Sequence, residues 1–497
     1  MAAEKLGTYA HKPRVFILSD ISNEVDDAQS LVRYLLYANQ FETKGLVACT
    51  SASMKNEVHP EVMEKIIDAY ANAVDNLNKH THPDHLYPSA DHLRSLIRSG
   101  AESYGMTAVG TDITLSPGAQ LLYSCITTPS TQPLWILCWG GTNTLASALL
   151  KIDDDFDPDD SKRLLSRLRV YSISDKDDTG AWIRNSFPDI FYIASIHGWN
   201  QYGLAAWTGI SGEKHYGFDV GGPDGSKWEK DWLKENIQVG PLGTMYPDPM
   251  HVAEGDTPSL LHLIQNGLSI PDHPEYGSWG GRYVRTDLST EGLNSSHYSD
   301  AADRVVVQGR TYTSNHATIW RWRDAFQNDF AARMRWTTEA EFANANHHPV
   351  ITVNDLCGLA PVRIEAEAGS TITLDTKGTY HPNGSAMTFK WWHYREPSAT
   401  QWSVEAEVAE VGITAVDKGC EGKKVQVKLP PAEHCAVELQ SKKPVAQGQL
   451  LHLILEVTGE GELNLTSYRR VLIQVTNKDL RGGGMVKGEC EVVMKDG

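Results

Sequence analysis

The feature that most constrains the fold is the apolar run RVFILSD at residues 14–20, which does not alternate between polar and apolar side chains. A strand of this kind is expected to be covered on both faces, as in a parallel sheet between layers of helices. The next segment, DDAQSLVRYLLYANQ, has apolar side chains at helical spacing, namely Ala28, Leu31, Val32, Leu35 and Leu36. The chain therefore opens with a predicted buried strand and an amphipathic helix.

The same alternation of strands and helices continues over roughly the first 330 residues. Further predicted strands are KGLVACTS, PLWILCW, LRVYSIS and DIFYIAS. Predicted helices are NTLASALLKI and SLLHLIQNGL, the latter with Thr257 as its N-cap and Pro258 at its first helical position. This order predicts an α/β fold with a mostly parallel sheet flanked by helices.

Polar and mostly acidic loops follow the predicted strands. Their sequences are ISNEVDD, WGGTN, SDKDDTG and EGDTP. The carboxyl ends of strands in open α/β sheets line the ligand crevice, so these loops are expected to form one pocket.

The pattern changes around Asn346, where period-two alternation separated by Gly, Pro and Asn turns begins. About seven short strands follow, which predicts a β-sandwich of immunoglobulin type. We therefore predict a catalytic domain at 1–345 and an all-β sandwich domain at 346–497, with a tail from Arg481. The sandwich is expected to brace the catalytic domain or to mediate homodimerisation.

Charge and composition exclude some classes of function. A formal net charge of −18 disfavours a nucleic-acid-binding surface and leaves a divalent cation and a small-molecule substrate as partners. No apolar run approaches the length of a membrane span, and the first residues contain no apolar signal-peptide core. Seven scattered cysteines without CxxC spacing favour a reducing compartment. These features predict a cytoplasmic protein with no membrane partner.

The strongest chemical signal is a group of four carboxylates in the segment 20–27, namely Asp20, Glu24, Asp26 and Asp27. Such a group repels itself unless a cation, protons or water relieve the charge. Ca²⁺ accepts oxygen ligands in irregular loop geometry. The alternative is a solvated turn in which the helix macrodipole favours the last two acids.

The opening strand–DxxxxxDD–helix resembles nucleoside hydrolases, whose pattern is DxDPGxDD. The chain resembles more closely a nucleoside-hydrolase-like group of proteins described as cellulose-binding. The similarity lies in WGGTNTLA at 139–146, SISDKDD at 172–178, EGDTPS at 254–259 and WGGRY at 279–283. It extends over nearly the whole chain and implies the nucleoside-hydrolase-like fold followed by a β domain.

The resemblance implies roles for individual residues. Asp20, Asp27, Asp256 and the carbonyl of Thr142 would hold Ca²⁺. Asp26 would bind vicinal hydroxyls of a sugar, and Asn143 would point into the pocket.

The sequence departs from the hydrolase pattern at Ser22, where the parent family has the Asp that acts as general base. A hydroxyl does not accept a proton from water at neutral pH as a carboxylate does. Two readings follow: Glu24 takes the role of base, or the reaction needs no activated water. Val25 also replaces the proline usual in the group.

Leaving-group help and substrate contacts are assigned to the other loops. Asp177, Asp178, His197 and His251 are candidates for leaving-group help, so that the predicted catalytic set is Glu24, Asp26, Asp178 and His197. Candidates to stack on a sugar or base are Trp139, Trp199, Tyr202, Trp207 and Trp279, with core packing as the alternative for each. Asn23, Asn200 and Arg282 complete the predicted substrate contacts, together with Asn143 and Asp177.

Three functional hypotheses follow. The first is a Ca²⁺-dependent hydrolase that cleaves an N-ribosyl-like bond of a nucleoside or another small glycoside. The second is an enzyme on the same scaffold with lyase, isomerase or cyclase chemistry on a small metabolite, which would suit the loss of the usual base. The third is a non-catalytic carbohydrate-binding protein.

Overall fold

A computed structural model describes residues 2–286, 297–400, 403–416 and 422–480 of the protein. Among these residues, no helix is long and apolar enough to cross a bilayer. Cys420, Cys490 and the predicted tail from Arg481 lie outside the described residues. The five described cysteines carry free thiols, and Cys49 and Cys138 are buried as expected.

The first part of the chain forms a sheet of eight described strands in the order β3-β2-β1-β4-β5-β6-β8-β7. The strands are β1 Arg14–Ser19, β2 Glu42–Ala48, β3 Ile97–Ser99, β4 Leu134–Cys138, β5 Leu168–Ser172, β6 Phe191–Ala194, β7 Tyr283–Arg285 and β8 His297–Asp300. All described neighbours pair in parallel except β7 and β8. The mostly parallel sheet predicted from the sequence is confirmed.

Helices cover both faces of this sheet. In chain order they are α1 Asp26–Tyr37, α2 Pro60–Tyr70, α3 Val74–Leu77, α4 Ala90–Ser95, α5 Pro117–Thr127, α6 Asn143–Asp155, α7 Pro158–Leu165, α8 Thr179–Ser186, α9 Glu213–Tyr216, α10 Lys230–Asn236, α11 Gly240–Gly243, α12 Thr257–Leu261, α13 Ala317–Trp320 and α14 Arg323–Trp336. Alternate residues of β1 enter opposite cores: Val15 and Ile17 face one, and Phe16 and Leu18 face the other. This division explains why the strand is apolar at every position.

One predicted helix differs from the structure. α12 is shorter than the run SLLHLIQNGL indicates, and its N-cap is Asp256 rather than Thr257. The Asp256 side chain makes no capping hydrogen bond. Further along the predicted run, Gly267 has a φ of +85°, which lies in the left-handed region. The apolar periodicity of this run therefore does not correspond to a continuous helix.

The remainder of the chain is rich in β-structure. The strands are β9 Asp303–Val307, β10 Arg310–Ser314, β11 Thr352–Val353, β12 Leu356–Cys357, β13 Val362–Glu367, β14 Thr371–Asp375, β15 Met387–His393, β16 Gly412–Ala415, β17 Lys424–Lys428, β18 Gln447–Gly459 and β19 Leu465–Thr476. The short helices α15 Val404–Glu407 and α16 Ala432–Cys435 lie between them. Sheets β13-β19-β18-β15 and β14-β17-β16 share one apolar core. The predicted β region is confirmed, while its immunoglobulin type stays a prediction.

The two parts of the chain are joined by a continuous core. Tyr394, Ile454 and Tyr468 belong to the same apolar cluster as β1 and α14. The buried guanidinium of Arg470 donates to the carbonyl oxygens of Leu268 at 3.0 Å and Gly277 at 2.9 Å. The predicted division at residue 345 therefore does not coincide with a break in packing, and it stays a prediction.

Arg470→Ala is expected to lower the free energy of unfolding by about 2–4 kcal/mol, because it removes hydrogen bonds from a charged donor and leaves buried carbonyl oxygens unpaired. Urea unfolding followed by circular dichroism measures the change. The matched control is Arg363→Ala on β13 of the same sheet, where the side chain is exposed and the expected change is within about 0.5 kcal/mol. Equal losses in both variants would contradict a role for Arg470 in joining the two parts.

Candidate functional site

The site begins where β1 ends. Asp20 follows the strand, and its carbonyl oxygen accepts a hydrogen bond from Asn23 N at 2.9 Å. The Asn23 side chain donates to Asp20 Oδ2 at 3.1 Å, which closes the turn. This turn carries the chain into α1, whose first two residues are Asp26 and Asp27.

The structure brings together acids that are far apart in the sequence. Asp26, Asp27 and Asp256 each offer a carboxylate oxygen, and these oxygens lie within 4.8 Å of one another. We call these three residues and the adjacent Asp20 the carboxylate cluster. Close backbone approach is needed here, because a Cβ added at Gly140 would lie 2.7 Å from Asp20 N, and one at Gly255 2.7 Å from Asp26 Oδ2.

Burial and mutual repulsion disfavour the charged forms of the cluster carboxylates. Burial, and then the charges of Asp256 and Asp20, hold the pKa of Asp27 well above its usual range. Burial does the same to the pKa of Asp256, although the ammonium of Lys176 opposes the shift. Burial, with the charges of Glu24 and Asp20, raises the pKa of Asp26 to about 6 against the same opposing ammonium.

Several cluster oxygens have no hydrogen-bond partner among the described residues, namely Asp20 Oδ1, Asp27 Oδ2 and both carboxylate oxygens of Asp256. The other oxygen of Asp27 accepts a hydrogen bond from Ser19 Oγ. Buried, unpartnered carboxylate oxygens are the ligands that a hard dication prefers. The residues present therefore fit Ca²⁺.

Lys176 is a cation that the sequence analysis did not single out. Its Nζ lies 3.5 Å from Asp20 Oδ1 and 3.6 Å from Asp256 Oδ1. Burial lowers the pKa of Lys176, but the charges of Asp20, Asp256 and Asp27 outweigh burial and raise it well above its usual range. The side chain is therefore an ammonium ion that points toward the cluster.

The loops after β4 and β5 are joined by hydrogen bonds. Asp177 accepts hydrogen bonds from Asn143 N at 3.1 Å and from Thr179 N at 2.9 Å. The Asn143 side chain donates to Thr50 Oγ1 at 3.0 Å and to Ser103 O at 2.8 Å. Both residues, predicted to contact the substrate, thus have their described polar contacts inside the protein.

Thr142 has a similar internal role. Its carbonyl oxygen accepts the hydrogen bond of Ala146 N at 2.9 Å, at the start of α6. Its hydroxyl pairs with Thr179 Oγ1 at 2.7 Å. A metal contact from the carbonyl stays a prediction.

A pocket of about 350 Å³ opens beside the cluster. Its lining combines charged and aromatic side chains, including Glu24, Asp26, Lys176, His197, Tyr202 and Trp207. Trp199, Tyr216, His215 and His251 also line it, and Trp199 is 76% exposed. Ser22 is exposed, has a φ of +89° and lies outside the set of described residues that line the pocket.

His197, which also lines the pocket, is bound by an acid that the sequence did not indicate. His197 Nε2 lies 2.8 Å from Asp300 Oδ2, at the end of β8. The same oxygen accepts a hydrogen bond from Ala206 N at 3.2 Å. An imidazole whose orientation is set by a carboxylate is suited to proton transfer. No sequence pattern marked Asp300, because the segment HYSD at 297–300 lacks the apolar run that identified the other strands.

Three predicted substrate contacts are placed inside the protein instead. Trp139 is buried, and its Nε1 donates to Ser259 Oγ at 2.8 Å. Trp279 is buried, and its Nε1 donates to Tyr468 OH at 3.3 Å. The buried Arg282 pairs with Asp303 at 2.7 Å. Because these contacts use their polar atoms in packing, the structure does not bring the three side chains into the pocket lining.

Two further predicted residues lie near the pocket but outside its described lining. Asp178 is exposed, and its carboxylate accepts a hydrogen bond from Met106 N at 2.8 Å. Lys176, two positions earlier in the same loop, instead contacts Asp20 and Asp256. Asn200 is exposed beside Trp199. The structure therefore separates Asp178 from the carboxylate cluster and leaves Asn200 at the rim.

Comparisons with known proteins agree with this architecture. Residues 14–283 match the family described as "Cellulose-binding Sde182, nucleoside hydrolase-like domain", and residues 371–475 match "Cellulose-binding protein Sde0182, C-terminal domain". A search of curated proteins gives no match.

A solved structure is similar over nearly the whole chain. It is a nucleoside hydrolase-related hypothetical protein from Saccharophagus degradans, described as associated with carbohydrate metabolism. The identity is 30%, the TM-score is 0.74, and the similarity covers 94% of this chain and 100% of the other. Together with the family match over more than half of the sequence, this confirms the resemblance inferred from the motifs. The chain belongs to the Sde182 nucleoside hydrolase-like family.

Proposed function

We propose that the protein is a Ca²⁺-dependent hydrolase that cleaves the glycosidic, N-ribosyl-like bond of a nucleoside or small glycoside. The observation that carries the proposal is the set of buried, unpartnered oxygens on Asp27 and Asp256, beside a pocket that Asp26 lines. A purely structural turn does not explain these oxygens, because burying carboxylate oxygens without hydrogen-bond partners costs free energy. A cation and a hydroxyl-rich ligand would satisfy them together.

Asp27 and Asp256 would hold the ion, with Asp26 and Asp20 beside it. When bound, Ca²⁺ supplies a fixed positive charge that orients oxygen ligands. Asp26 lines the pocket and accepts hydrogen bonds from sugar hydroxyls. Its negative charge also favours an oxocarbenium-like transition state.

Proton transfer is assigned to two residues that line the pocket. Glu24 is an exposed carboxylate on the pocket lining and accepts the proton of the attacking water, a role that the Ser22 hydroxyl does not fill. His197 donates a proton to the leaving group, and Asp300 holds the imidazole in position. Tyr202 and Trp207 supply aromatic surface for a base or sugar ring.

Asp27→Asn is expected to weaken Ca²⁺ binding and to lower kcat/KM for nucleoside cleavage by roughly 100-fold or more, because it removes a charged ligand from the cluster. Calorimetric titration with Ca²⁺ and release of free base from a nucleoside panel measure the two effects. Asp231→Asn, at an exposed position in the first turn of α10, is the control and should change neither. Unchanged metal affinity in Asp27→Asn would exclude the cluster as the Ca²⁺ site.

His197→Asn is expected to lower kcat by about 10²–10³-fold for nucleosides with a poor leaving group. The loss should be much smaller for a nitrophenyl riboside, whose phenolate leaves without a proton. Asp300→Asn should show the same dependence on leaving group in weaker form, because Asp300 acts by positioning His197. Equal losses on both substrates would assign His197 a structural role and not acid catalysis.

Glu24→Gln tests the base separately. It is expected to lower kcat for both kinds of substrate to a similar extent, since both need an activated water. Steady-state kinetics with saturating Ca²⁺ measures the effect. Full activity in this variant, or no cleavage of any glycoside by a wild-type protein that binds Ca²⁺, would favour lyase, isomerase or cyclase chemistry on the same scaffold.

A second candidate function is carbohydrate binding without catalysis. The observation that favours it is Trp199, which is 76% exposed at the pocket rim, with its ring 5.3 Å from that of Tyr202. Exposed aromatic rings of this kind stack on sugars. Depletion of the full chain from solution by insoluble cellulose, reduced in Trp199→Ala, would support this function if no cleavage is detected.

A further inference from the structure

The carboxylate cluster already faces a positive charge supplied by the chain itself. Lys176 Nζ lies between acids from two different loops, 3.5 Å from Asp20 Oδ1 and 3.6 Å from Asp256 Oδ1. Its side chain is only 17% exposed. The ammonium therefore belongs to the interior of the site more than to the solvent.

The loop around Lys176 is fastened so that this side chain points inward. Ala52 N donates to the Lys176 carbonyl oxygen at 2.6 Å. On one side, Asp175 accepts two hydrogen bonds from the Arg184 guanidinium, at 2.8 and 2.6 Å. On the other, Asp177 is held by Asn143 N and Thr179 N. Since both neighbours are tied to other parts of the fold, the Lys176 side chain is left directed at the cluster.

The ammonium compensates only part of the charge. The cluster contains four carboxylates, and Lys176 approaches one oxygen of Asp20 and one of Asp256. Asp27 Oδ2 and Asp256 Oδ2 remain without a hydrogen-bond partner among the described residues. A dication at these oxygens would share the Asp256 carboxylate with the ammonium and be repelled by it.

We propose that Lys176 is a tethered counter-ion of the carboxylate cluster, which stabilises the metal-free protein and competes with Ca²⁺ for Asp256. This inference rests on the metal site of the proposed function. It adds that the chain itself sets the affinity of that site. Metal binding then requires the ammonium to share or release Asp256.

The test compares Lys176→Met, which keeps an unbranched side chain as far as Cε and removes the ammonium group, with Lys176→Arg, which keeps the charge. Calorimetric titration of the full chain with CaCl₂ should give at least about tenfold tighter binding for Lys176→Met than for wild type, because a nearby positive charge is removed. Lys176→Arg should stay within about threefold of wild type, since the charge is retained. The control is Lys162→Met, whose Nζ is 3.6 Å from Asp189 on the surface and 75% exposed.

A second measurement does not depend on metal. In the presence of a chelator, Lys176→Met should unfold several degrees below wild type, and Ca²⁺ should raise its Tm more than that of wild type. Unchanged Ca²⁺ affinity, or an unchanged Tm in chelator, overturns the inference. If Lys176→Met does not fold, the Lys176→Arg variant decides the question. A Tm equal to that of wild type supports the role of the positive charge, and a failure of Lys176→Arg to fold overturns the inference.

These outcomes are separable from failure of the proposed function. Both measurements are made without substrate, so absence of glycoside cleavage leaves the role of Lys176 intact. If wild type binds no Ca²⁺, the metal part of the proposed function fails, and the Tm of Lys176→Met in chelator still decides whether the ammonium is the counter-ion.

Discussion

The site depends on how mutually repelling carboxylates are kept together in a buried place. Like charges about 5 Å apart in a protein of effective dielectric constant near 20 repel by about 3 kcal/mol per pair. The fold accepts this repulsion because Asp20, Asp26 and Asp27 sit at the end of the central strand β1 and at the start of α1, both buried. Asp256 is added from a loop more than 200 positions away in the sequence. Relief of this negative charge, by a cation or by protons, is therefore a condition of the architecture.

The position of β1 explains why so many separate segments reach this point. The order of the sheet reverses around β1, which has β2 on one side and β4 on the other. A crevice opens at such a point above the carboxyl ends of the strands. The loops after β1, β4 and β5 meet there, and the loops after β4 and β5 are joined by a buried hydrogen bond from Asn143 N to Asp177. The rigid backbone around the cluster and the polar pocket beside it have the same topological origin.

Much of this could be predicted from the sequence. Apolar runs without alternation located β1, β2, β4, β5 and β6, because a strand with two buried faces has no polar side. The acids of the cluster were predicted from the density of charge at 20–27 and from the motif around Asp256. β8 was missed for the converse reason: its residues are all half-buried, so HYSD lacks an apolar pattern, and Asp300 was not identified.

The sequence also did not determine the direction in which a loop side chain points. Lys176, Asp177 and Asp178 are consecutive charged residues of one loop, and each could point either into the site or away from it. Only their tertiary contacts determine which one faces the cluster. The indole nitrogens of Trp139 and Trp279 have hydrogen-bond partners within the fold, which a sequence does not reveal, and substrate contact by these residues stays a prediction.

The shared core between the two parts of the chain has a consequence for how the protein can be divided. Trp322 packs edge-on against Tyr468, with ring centroids 5.7 Å apart, and Trp279 donates to the same tyrosine. A fragment ending near residue 345 would expose these indole rings to water and so present an apolar surface prone to aggregation. A chimaera that combines these two parts from different proteins, whether by recombination or by engineering, would therefore have to preserve the aromatic residues that contact each other between them.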